Sequence, residues 1–307
     1  MKPSNLLPLC SLIVLSSAAA TPRLSSRRPS SHKLLHTPPS FVAHPGKSAF
    51  TSSTSTTQSS RAGVHLSSHP DDTTHLITSI DAFFTIPHAN MPTVGPTAGN
   101  ENGVYQVSYW VGIDGLSACP QASIRAGVDT FWDSGMQTTN VWYEFYPSTG
   151  PTDFANMTLK QGDTIQVLVN ADADGKGGSV EIRKYETSQP RVSAVWTHEF
   201  KDQGSQLCLK EANWVIEDYP LVDRPEFLLP FANFTDDAGV PEVYFYGMHV
   251  NPPGAKGGVL PWAWTEFDVE VIDINLEEQG GKLTDCKTET GAGNSNTLTC
   301  KRIVGDA

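Results

Sequence analysis

The chain has 307 residues, of which 18% are charged, and its formal net charge at pH 7 is −12. The charge is unevenly distributed. Residues 1–60 hold six Lys/Arg and no Asp or Glu, so the remainder holds 15 basic and 33 acidic residues, a net charge of −18. An acidic domain of this kind repels nucleic acid and anionic membranes, and we expect neither as a partner.

Residues 1–20 have the pattern of a secretory signal peptide. Lys2 gives a positive start, an apolar stretch runs from Leu6 to Leu15, and Ala18–Ala20 offers a small-residue cleavage site. The apolar stretch is too short to span a bilayer. We therefore expect a secreted, extracellular protein.

Residues 21–60 form a basic segment rich in Ser, Thr and Pro, which lacks the apolar surface needed to offset its ordering entropy. One interpretation is a propeptide held by the acidic domain and removed in acid, near Arg27-Arg28 or at Arg61. The other is a disordered, O-glycosylated stalk.

From about residue 75 the sequence consists of short alternating segments rich in β-branched and aromatic residues, separated by Gly, Pro, Asn and Asp. The predicted strands are 82–87, 104–111, 164–169, 243–246 and 266–274. A single domain over 61–307 that contains so many short strands fits a large antiparallel sandwich. We expect a monomer.

Four cysteines remain once the signal peptide carrying Cys10 is removed, and an even number in an exported protein favours disulfides. Cys286 and Cys300 flank a Gly/Ser/Asn-rich turn and are predicted to close a hairpin. By elimination Cys119 pairs with Cys208. The cysteine and histidine spacings do not match a metal site, so we expect neither a metal nor another cofactor.

Two N-glycosylation sequons begin at Asn156 and Asn233. In an exported chain both asparagines are expected on the surface.

Several blocks occur in an order that resembles the fungal glutamic peptidases, the eqolisins. They are Tyr109-Trp110-Val111-Gly112-Ile113-Asp114-Gly115, then Cys119, Ile124-Arg125-Ala126-Gly127-Val128-Asp129, Val141-Trp142-Tyr143-Glu144-Phe145-Tyr146-Pro147 and Cys208 to Asp218. The resemblance covers about residues 60–285. It implies an all-β, concanavalin-type sandwich of two curved antiparallel sheets, and a polypeptide as substrate or ligand.

The resemblance also implies acid hydrolysis of peptide bonds by a Gln/Glu pair. Glu217 matches the glutamate, the general base that activates a water. The glutamine amide would orient that water and stabilise the oxyanion. Five residues are expected to line the concave sheet around Glu217 and contact the substrate: Trp110, Asp114, Asp129, Trp142 and Glu144.

Two departures from the family pattern put catalysis in doubt. Arg125 occupies the glutamine position, where its permanent charge is expected to pair with Glu217 and take the place of the water. Gln121, on the same predicted strand face but about 13 Å away, is too distant to substitute. The family's Asn-Trp-Ala-Gly stretch reads Ser60-Arg61-Ala62-Gly63 here, without the tryptophan of the cleft wall.

Two other functions remain open at this point. A pseudopeptidase would hold peptide or glycan on the concave sheet without cleaving it. A β-glucan hydrolase could use Glu266 and Glu270, which with Asp268 form a Glu-x-Asp-x-Glu pattern on one strand face, because paired carboxylates catalyse retaining glycoside hydrolysis. The same pattern is also typical of a solvated strand face.

Overall fold

The computed structural model describes residues 59–68, 76–92, 104–133, 135–186, 191–221, 224–228, 230–251, 267–290 and 296–303. The predicted signal peptide and nearly all of the Ser/Thr/Pro-rich segment lie outside these residues. In the described part of the chain, no helix is long and apolar enough to cross a membrane.

The described residues are almost entirely β-structure, apart from one 3-10 turn at Glu277–Gln279. The strands, in chain order, are β1 (Arg61–Ser68), β2 (Ser79–Thr85), β3 (His88–Asn90), β4 (Val104–Asp114), β5 (Ser123–Asp133), β6 (Met136–Tyr146), β7 (Thr149–Asp153), β8 (Thr164–Ala171), β9 (Gly178–Tyr185), β10 (Val192–Phe200), β11 (Glu211–Glu217), β12 (Pro220–Leu221), β13 (Arg224–Leu228), β14 (Asn233–Thr235), β15 (Glu242–Asn251), β16 (Phe267–Ile272), β17 (Asn275–Leu276), β18 (Gly281–Lys282), β19 (Thr284–Thr290) and β20 (Asn296–Arg302).

Two antiparallel seven-stranded sheets make up the fold. The first sheet has the order β16-β1-β11-β4-β5-β6-β7, and the second has the order β10-β9-β8-β2-β15-β20-β19. Strands β4 and β5 of the first sheet pack against β8 of the second. The prediction of an all-β fold built from two antiparallel sheets is confirmed.

The central strands of the first sheet are buried on both faces, because two separate sets of side chains cover them. One face, which carries Tyr109, Ile124 and Ile216, joins the large core between the sheets. The opposite face, which we call the outer face, carries a second apolar cluster: Trp110, Phe131, Trp142, Val215 and Tyr219. Since side chains alternate along a strand, Arg125 and Glu217 share the outer face with Trp110.

Both predicted disulfides are present. Cys119 and Cys208 are bonded with their Cα atoms 5.9 Å apart and link two segments 89 residues apart in the chain. Cys286 and Cys300 lie opposite each other on β19 and β20, so they close the predicted hairpin.

The two sequon asparagines differ in exposure. Asn156 is exposed in a turn, as predicted. Asn233 is half-buried, opposite Asn90 in the small β3–β14 sheet, and its Oδ1 is buried. Asn233 is therefore only partly on the surface, whereas Asn156 is fully so.

Candidate active site

The register of the first sheet arranges the outer-face residues in rows across the strands. One row contains Arg61, Glu217, Ser108 and Asp129. The next row contains Gly63, Val215, Trp110, Gly127 and Trp142, and a third contains His65, Asn213, Gly112, Arg125 and Glu144. Glu217 and Arg125 therefore stand two rows apart, with Trp110 between them.

Glu217 is 5% exposed and is held through both of its carboxylate oxygens. Arg61 Nε donates to Oε1 at 2.8 Å, and Trp110 Nε1 donates to Oε2 at 2.8 Å. Arg61 and Glu217 are directly opposite each other on β1 and β11. A general base needs an oxygen that can accept a proton from water, and each oxygen here already uses one of its acceptor sites for a hydrogen bond.

Arg125 makes its shortest ion pair with a different glutamate than expected. Its Nε lies 2.6 Å from Glu144 Oε2, whereas its Nη1 lies 4.0 Å from Glu217 Oε2. Its guanidinium also lies over the rings of Trp110 and Trp142, 5.1 and 5.7 Å from their centroids. The predicted ion pair with Glu217 is present at 4.0 Å, but Glu144, the neighbour of Arg125 on β6, makes a shorter one, and Arg61 is the arginine hydrogen-bonded to Glu217.

Two glycines make room for this packing. A Cβ placed on Gly112 would lie 2.8 Å from the Arg125 Cβ and 3.1 Å from the Trp110 ring. A Cβ on Gly127 would lie 2.4 Å from the Tyr109 carbonyl oxygen and 2.5 Å from the Trp110 Cβ. The sequence thus leaves both positions without a side chain, so that Arg125 and Trp110 can cover them.

Asp129 and Trp142 form a hydrogen-bonded pair next to this group. Trp142 Nε1 donates to Asp129 Oδ1 at 2.8 Å. Burial raises the pKa of Asp129 to about 7, because desolvation penalises the carboxylate more than this hydrogen bond favours it. Asp129 consequently holds a proton in acid.

We call Glu217, Arg61, Arg125, Glu144 and Trp110 the Glu217 cluster.

Asp114 lies outside the Glu217 cluster. It is at the far end of β4, six residues or ~20 Å along the strand from Ser108, which is opposite Glu217. Its carboxylate accepts hydrogen bonds from the backbone N–H groups of Leu209, Lys210 and Glu211 at 2.7–3.1 Å. The structure therefore does not bring Asp114 to Glu217.

Cys119 and Cys208 lie close to Asp114, and the three offer a geometry that could enclose a cation. The two sulfurs are bonded to each other, so they are not available as thiolates, the form that binds metal. The donor set therefore does not fit a metal site.

A second polar cluster occupies the other end of the outer face, and no sequence motif predicted it. Glu211 is fully buried and accepts hydrogen bonds from the backbone N–H groups of Leu116 and Ala118 and from the Ser117 hydroxyl. His65 lies 3.6 Å from Glu211 through Nε2, and its Nδ1 is 2.7 Å from Asn213 Oδ1. We call Glu211, His65, Asn213 and Ser117 the Glu211 cluster.

Of two further residues interpreted from the sequence, Arg61 is placed differently and Gln121 lies away from Glu217 as predicted. Arg61, considered above as a processing point, is 8% exposed within β1, so the folded domain does not present it to a protease. The sequence indicated its contact with Glu217 only indirectly, because Arg61 lies in the stretch where the family pattern has the cleft-wall tryptophan. Gln121 is exposed, precedes β5, and donates to Cys208 Sγ, so it does not approach Glu217.

Of the acidic residues considered for glucan hydrolysis, Asp268 and Glu270 lie on β16 at one edge of the first sheet. Glu266 is outside the described residues. Asp268 and Glu270 are exposed, as the interpretation of a solvated strand face expects.

Comparison with known proteins identifies the class to which this fold and site belong. Residues 59–301 match the model of the Peptidase A4 family. The chain belongs to this family.

Two relatives give the degree of similarity. The chain is 29% identical over 232 residues to aspergillopepsin-2 of Aspergillus niger, covering 72% of each protein. It is also 29% identical over 198 residues to scytalidopepsin B of Scytalidium lignicola, covering 63% of this chain and 65% of the relative.

Two solved structures share the fold. A scytalido-glutamic peptidase crystallised with a peptide-based transition-state analogue matches with a TM-score of 0.58 at 24% identity, over 80% of this chain and 98% of that one. The aspergilloglutamic peptidase of Aspergillus niger matches with a TM-score of 0.50 at 30% identity, over 65% and 99%.

Proposed function

We propose that this chain is a secreted pseudopeptidase of the Peptidase A4 family, which binds polypeptide on the outer face of its first sheet without hydrolysing it. The observation that carries this proposal is the pair of arginines around Glu217. Arg61 and Arg125 stand where the family pattern has a tryptophan and the catalytic glutamine, and both guanidinium groups approach the glutamate.

The contacts of Glu217 oppose catalysis in two ways. Its oxygens already accept from Arg61 and Trp110, so a water would have to use the remaining acceptor sites and compete with a fixed guanidinium for the carboxylate. In addition, the group at the glutamine position is fixed elsewhere. Arg125 is 3% exposed, ion-paired to Glu144 and packed on two tryptophans, so it is not free to follow an oxyanion as it forms.

Polypeptide is favoured over glycan as the ligand. Trp110 and Trp142 are each 1% exposed, and Arg125 covers both rings, so neither offers an open aromatic face to a sugar. Membership of a peptidase family supports polypeptide as the class of molecule that contacts this sheet.

Secretion is supported by the signal-like residues 1–20 and by two disulfides that join buried segments. The raised pKa of Asp129 agrees with a protein that works in acid, because the buried carboxyl group is then neutral.

A second candidate is an acid endopeptidase with Glu217 as its general base. The observation in its favour is that Glu217 lies on the outer face, oriented by the Trp110 N–H and in the same row as Asp129. In this case a bound substrate would have to displace Arg61 from the carboxylate.

One assay distinguishes the two candidates. The purified protein is incubated with a denatured protein substrate from about pH 2 to 5, as wild type, Arg125→Gln, Arg61→Trp and the double variant. The proposal expects no cleavage by wild type, and cleavage by the double variant at least about 10²-fold above background, because an oxyanion donor contributes about 10²–10³-fold.

The control adds Glu217→Gln to the double variant, which should abolish the gained cleavage. Wild-type cleavage that Glu217→Gln abolishes would establish the endopeptidase and refute the pseudopeptidase. Thermal unfolding of each variant verifies that it is folded. Release of reducing sugar from β-glucan, lost in Glu270→Gln, would instead identify the glucan hydrolase.

A further inference from the structure

A row of aromatic side chains crosses the second sheet on the side that faces away from the first sheet. Phe84 of β2 and Phe245 of β15 are fully buried in the core between the sheets. Because side chains alternate along a strand, Phe83, Tyr244 and Tyr246 point to the opposite side. Together with one residue of β9 they form what we call the aromatic row: Tyr185, Phe83, Tyr246 and Tyr244.

The rings of the aromatic row contact one another in sequence. Phe83 and Tyr246 lie opposite each other on paired strands, and their rings are stacked with centroids 5.5 Å apart. Tyr244 stacks on Tyr246 at 5.7 Å, and Tyr185 packs against Phe83 at 5.3 Å. Tyr244 ends the row and is 46% exposed, whereas the other three rings are half-buried. A contiguous exposed aromatic surface outside the core is typical of a site where another molecule binds.

A β-bulge at Gly247 brings a polar side chain beside the aromatic row. Strict alternation would place residue 248 on the same side as Tyr246, but Met248 is buried in the core and His249 faces outward instead. The pairing register of β15 shifts at this point, and Gly247 has a φ of 57°. The bulge thus aims His249 at Asp81, whose Oδ1 lies 3.3 Å from its Nδ1. Bulges that re-aim a side chain are frequent next to functional sites.

A chain of hydrogen bonds connects His249 to the aromatic row. Gln166 Nε2 donates to Asp81 Oδ2 at 2.7 Å, and the Tyr185 hydroxyl donates to Gln166 Oε1 at 2.9 Å. Asp81 and Gln166 are buried, so their neighbours hold them in one orientation. The aromatic row therefore has fixed polar groups at its edge, a combination typical of small-molecule and glycan sites.

The charges beside the aromatic row are balanced. Three pairs of opposite charge lie there, namely Arg183 with Glu181, His249 with Asp81 and Lys301 with Glu242. The hydrogen bond to Asp81 raises the pKa of His249, which favours the charged form of this pair in acid. Because the charges within each pair offset each other, the surface suits an uncharged ligand.

We propose that the aromatic row binds an uncharged polysaccharide. A sugar ring has a flat side of C–H groups, which the negative face of an aromatic ring attracts, and Tyr244 has the most exposed ring of the row. The rim of a sugar ring carries hydroxyl groups, which donate to and accept from polar side chains such as His249 and Tyr185. This site is independent of the proposed function, since that function concerns the outer face of the first sheet. The protein would then attach to a polysaccharide through one sheet and bind polypeptide on the other.

The test measures binding of the full secreted protein to three insoluble polysaccharides: cellulose, chitin and β-1,3-glucan. The protein that remains in solution is quantified over a range of polysaccharide concentrations, and released reducing sugar is assayed in parallel. We expect saturable binding to at least one of the three without release of sugar. Tyr244→Ala should weaken it at least about 5-fold, because it removes an aromatic stacking surface.

Two further variants and a control assign the binding to the aromatic row. Tyr244→Phe keeps the ring and should retain most of the affinity, whereas His249→Ala removes a polar contact and should weaken binding. Met136→Ala is the matched control, because Met136 is also an exposed apolar residue, 70% exposed, but lies on the first sheet. It should bind as the wild type does. Thermal unfolding verifies that each variant is folded.

Three outcomes would overturn the proposal. The first is that the wild type binds none of the three polysaccharides. The second is that folded Tyr244→Ala and Tyr246→Ala bind as well as the wild type, which would place the site elsewhere. The third is that a proline-rich peptide binds in a manner lost in Tyr244→Ala while no polysaccharide binds, which would assign the aromatic row to a protein partner.

Discussion

Glu211 and Glu217 begin and end the same strand, face the same way and are both buried, yet the protein holds them by different means. Glu211 is fixed by the backbone N–H groups of one short loop and by the Ser117 hydroxyl. Glu217 is fixed by the long side chains of Arg61 and Trp110, which come from β1 and β4. Backbone N–H donors are present whatever the sequence, whereas Arg61 and Trp110 donate through side chains that a single substitution can remove.

This difference indicates what each carboxylate does. A glutamate bound by loop amides stabilises that loop, and substitution of the surrounding side chains changes little around it. A glutamate bound by side chains can gain or lose its partners by single substitutions. The chemistry at Glu217 can therefore be altered without disturbing the fold, and the proposed function takes Arg61 and Arg125 as such alterations.

The largest expected effect is on stability, at the Glu211 end. Glu211→Ala removes the acceptor for two backbone N–H groups and the Ser117 hydroxyl, and leaves those amides unsatisfied. We expect the free energy of unfolding to fall by about 3–5 kcal/mol, the usual cost of breaking a buried charged network. Chemical denaturation measures it.

The control for this experiment is Glu199→Ala, because Glu199 is exposed on β10 and contacts only Lys201 among the pairs described. It should leave the unfolding free energy close to that of the wild type. A loss at Glu211 no larger than the change at Glu199 would show that the loop does not depend on its carboxylate.

The next largest effect is a change of stability with pH, caused by Asp129 at the Glu217 end of the outer face. Burial raises the pKa of Asp129 from 3.8 to about 7, so between these values the folded protein holds a proton that the unfolded chain has released. Stability must then fall as pH rises from about 4 to 7, by an amount on the order of 3 kcal/mol. Asp129→Asn cannot ionise and should flatten this part of the curve.

Urea denaturation at about pH 4, 5.5 and 7.5 tests this prediction, because the difference between wild type and variant isolates one group. Asp285→Asn is the matched control. Lys287 and Lys282 lower the pKa of Asp285, so its contribution disappears only as the pH falls below about 4. Equal slopes for wild type and Asp129→Asn would refute the raised pKa.

The sequence predicted the surroundings of Glu217 better than those of Glu211. Strand alternation and the resemblance together brought Trp110, Arg125, Trp142 and Glu217 to one face, and the structure agrees. The contact between Arg61 and Glu217 spans 156 residues and depends on β1 pairing with β11, which no local pattern specifies. The role of Glu211 was equally hidden, because its main partners are backbone amides.

The smallest expected effect is a difference in energetic coupling between side chains. In a double-mutant cycle, Arg61→Met and Glu217→Leu should each destabilise the protein, because each leaves a buried charge unpaired. The double variant should recover about 2 kcal/mol of the summed loss, since it removes both charges.

The same cycle at Glu211 has a different expected result. Ser117→Ala with Glu211→Ala should show a coupling below about 1 kcal/mol, because Ser117 is exposed and the backbone amides that dominate the contact cannot be mutated away. Equal coupling at both ends would mean that the arginines do not set Glu217 apart. A large coupling only at Glu217 would show that two side chains, and not the fold, keep this glutamate engaged.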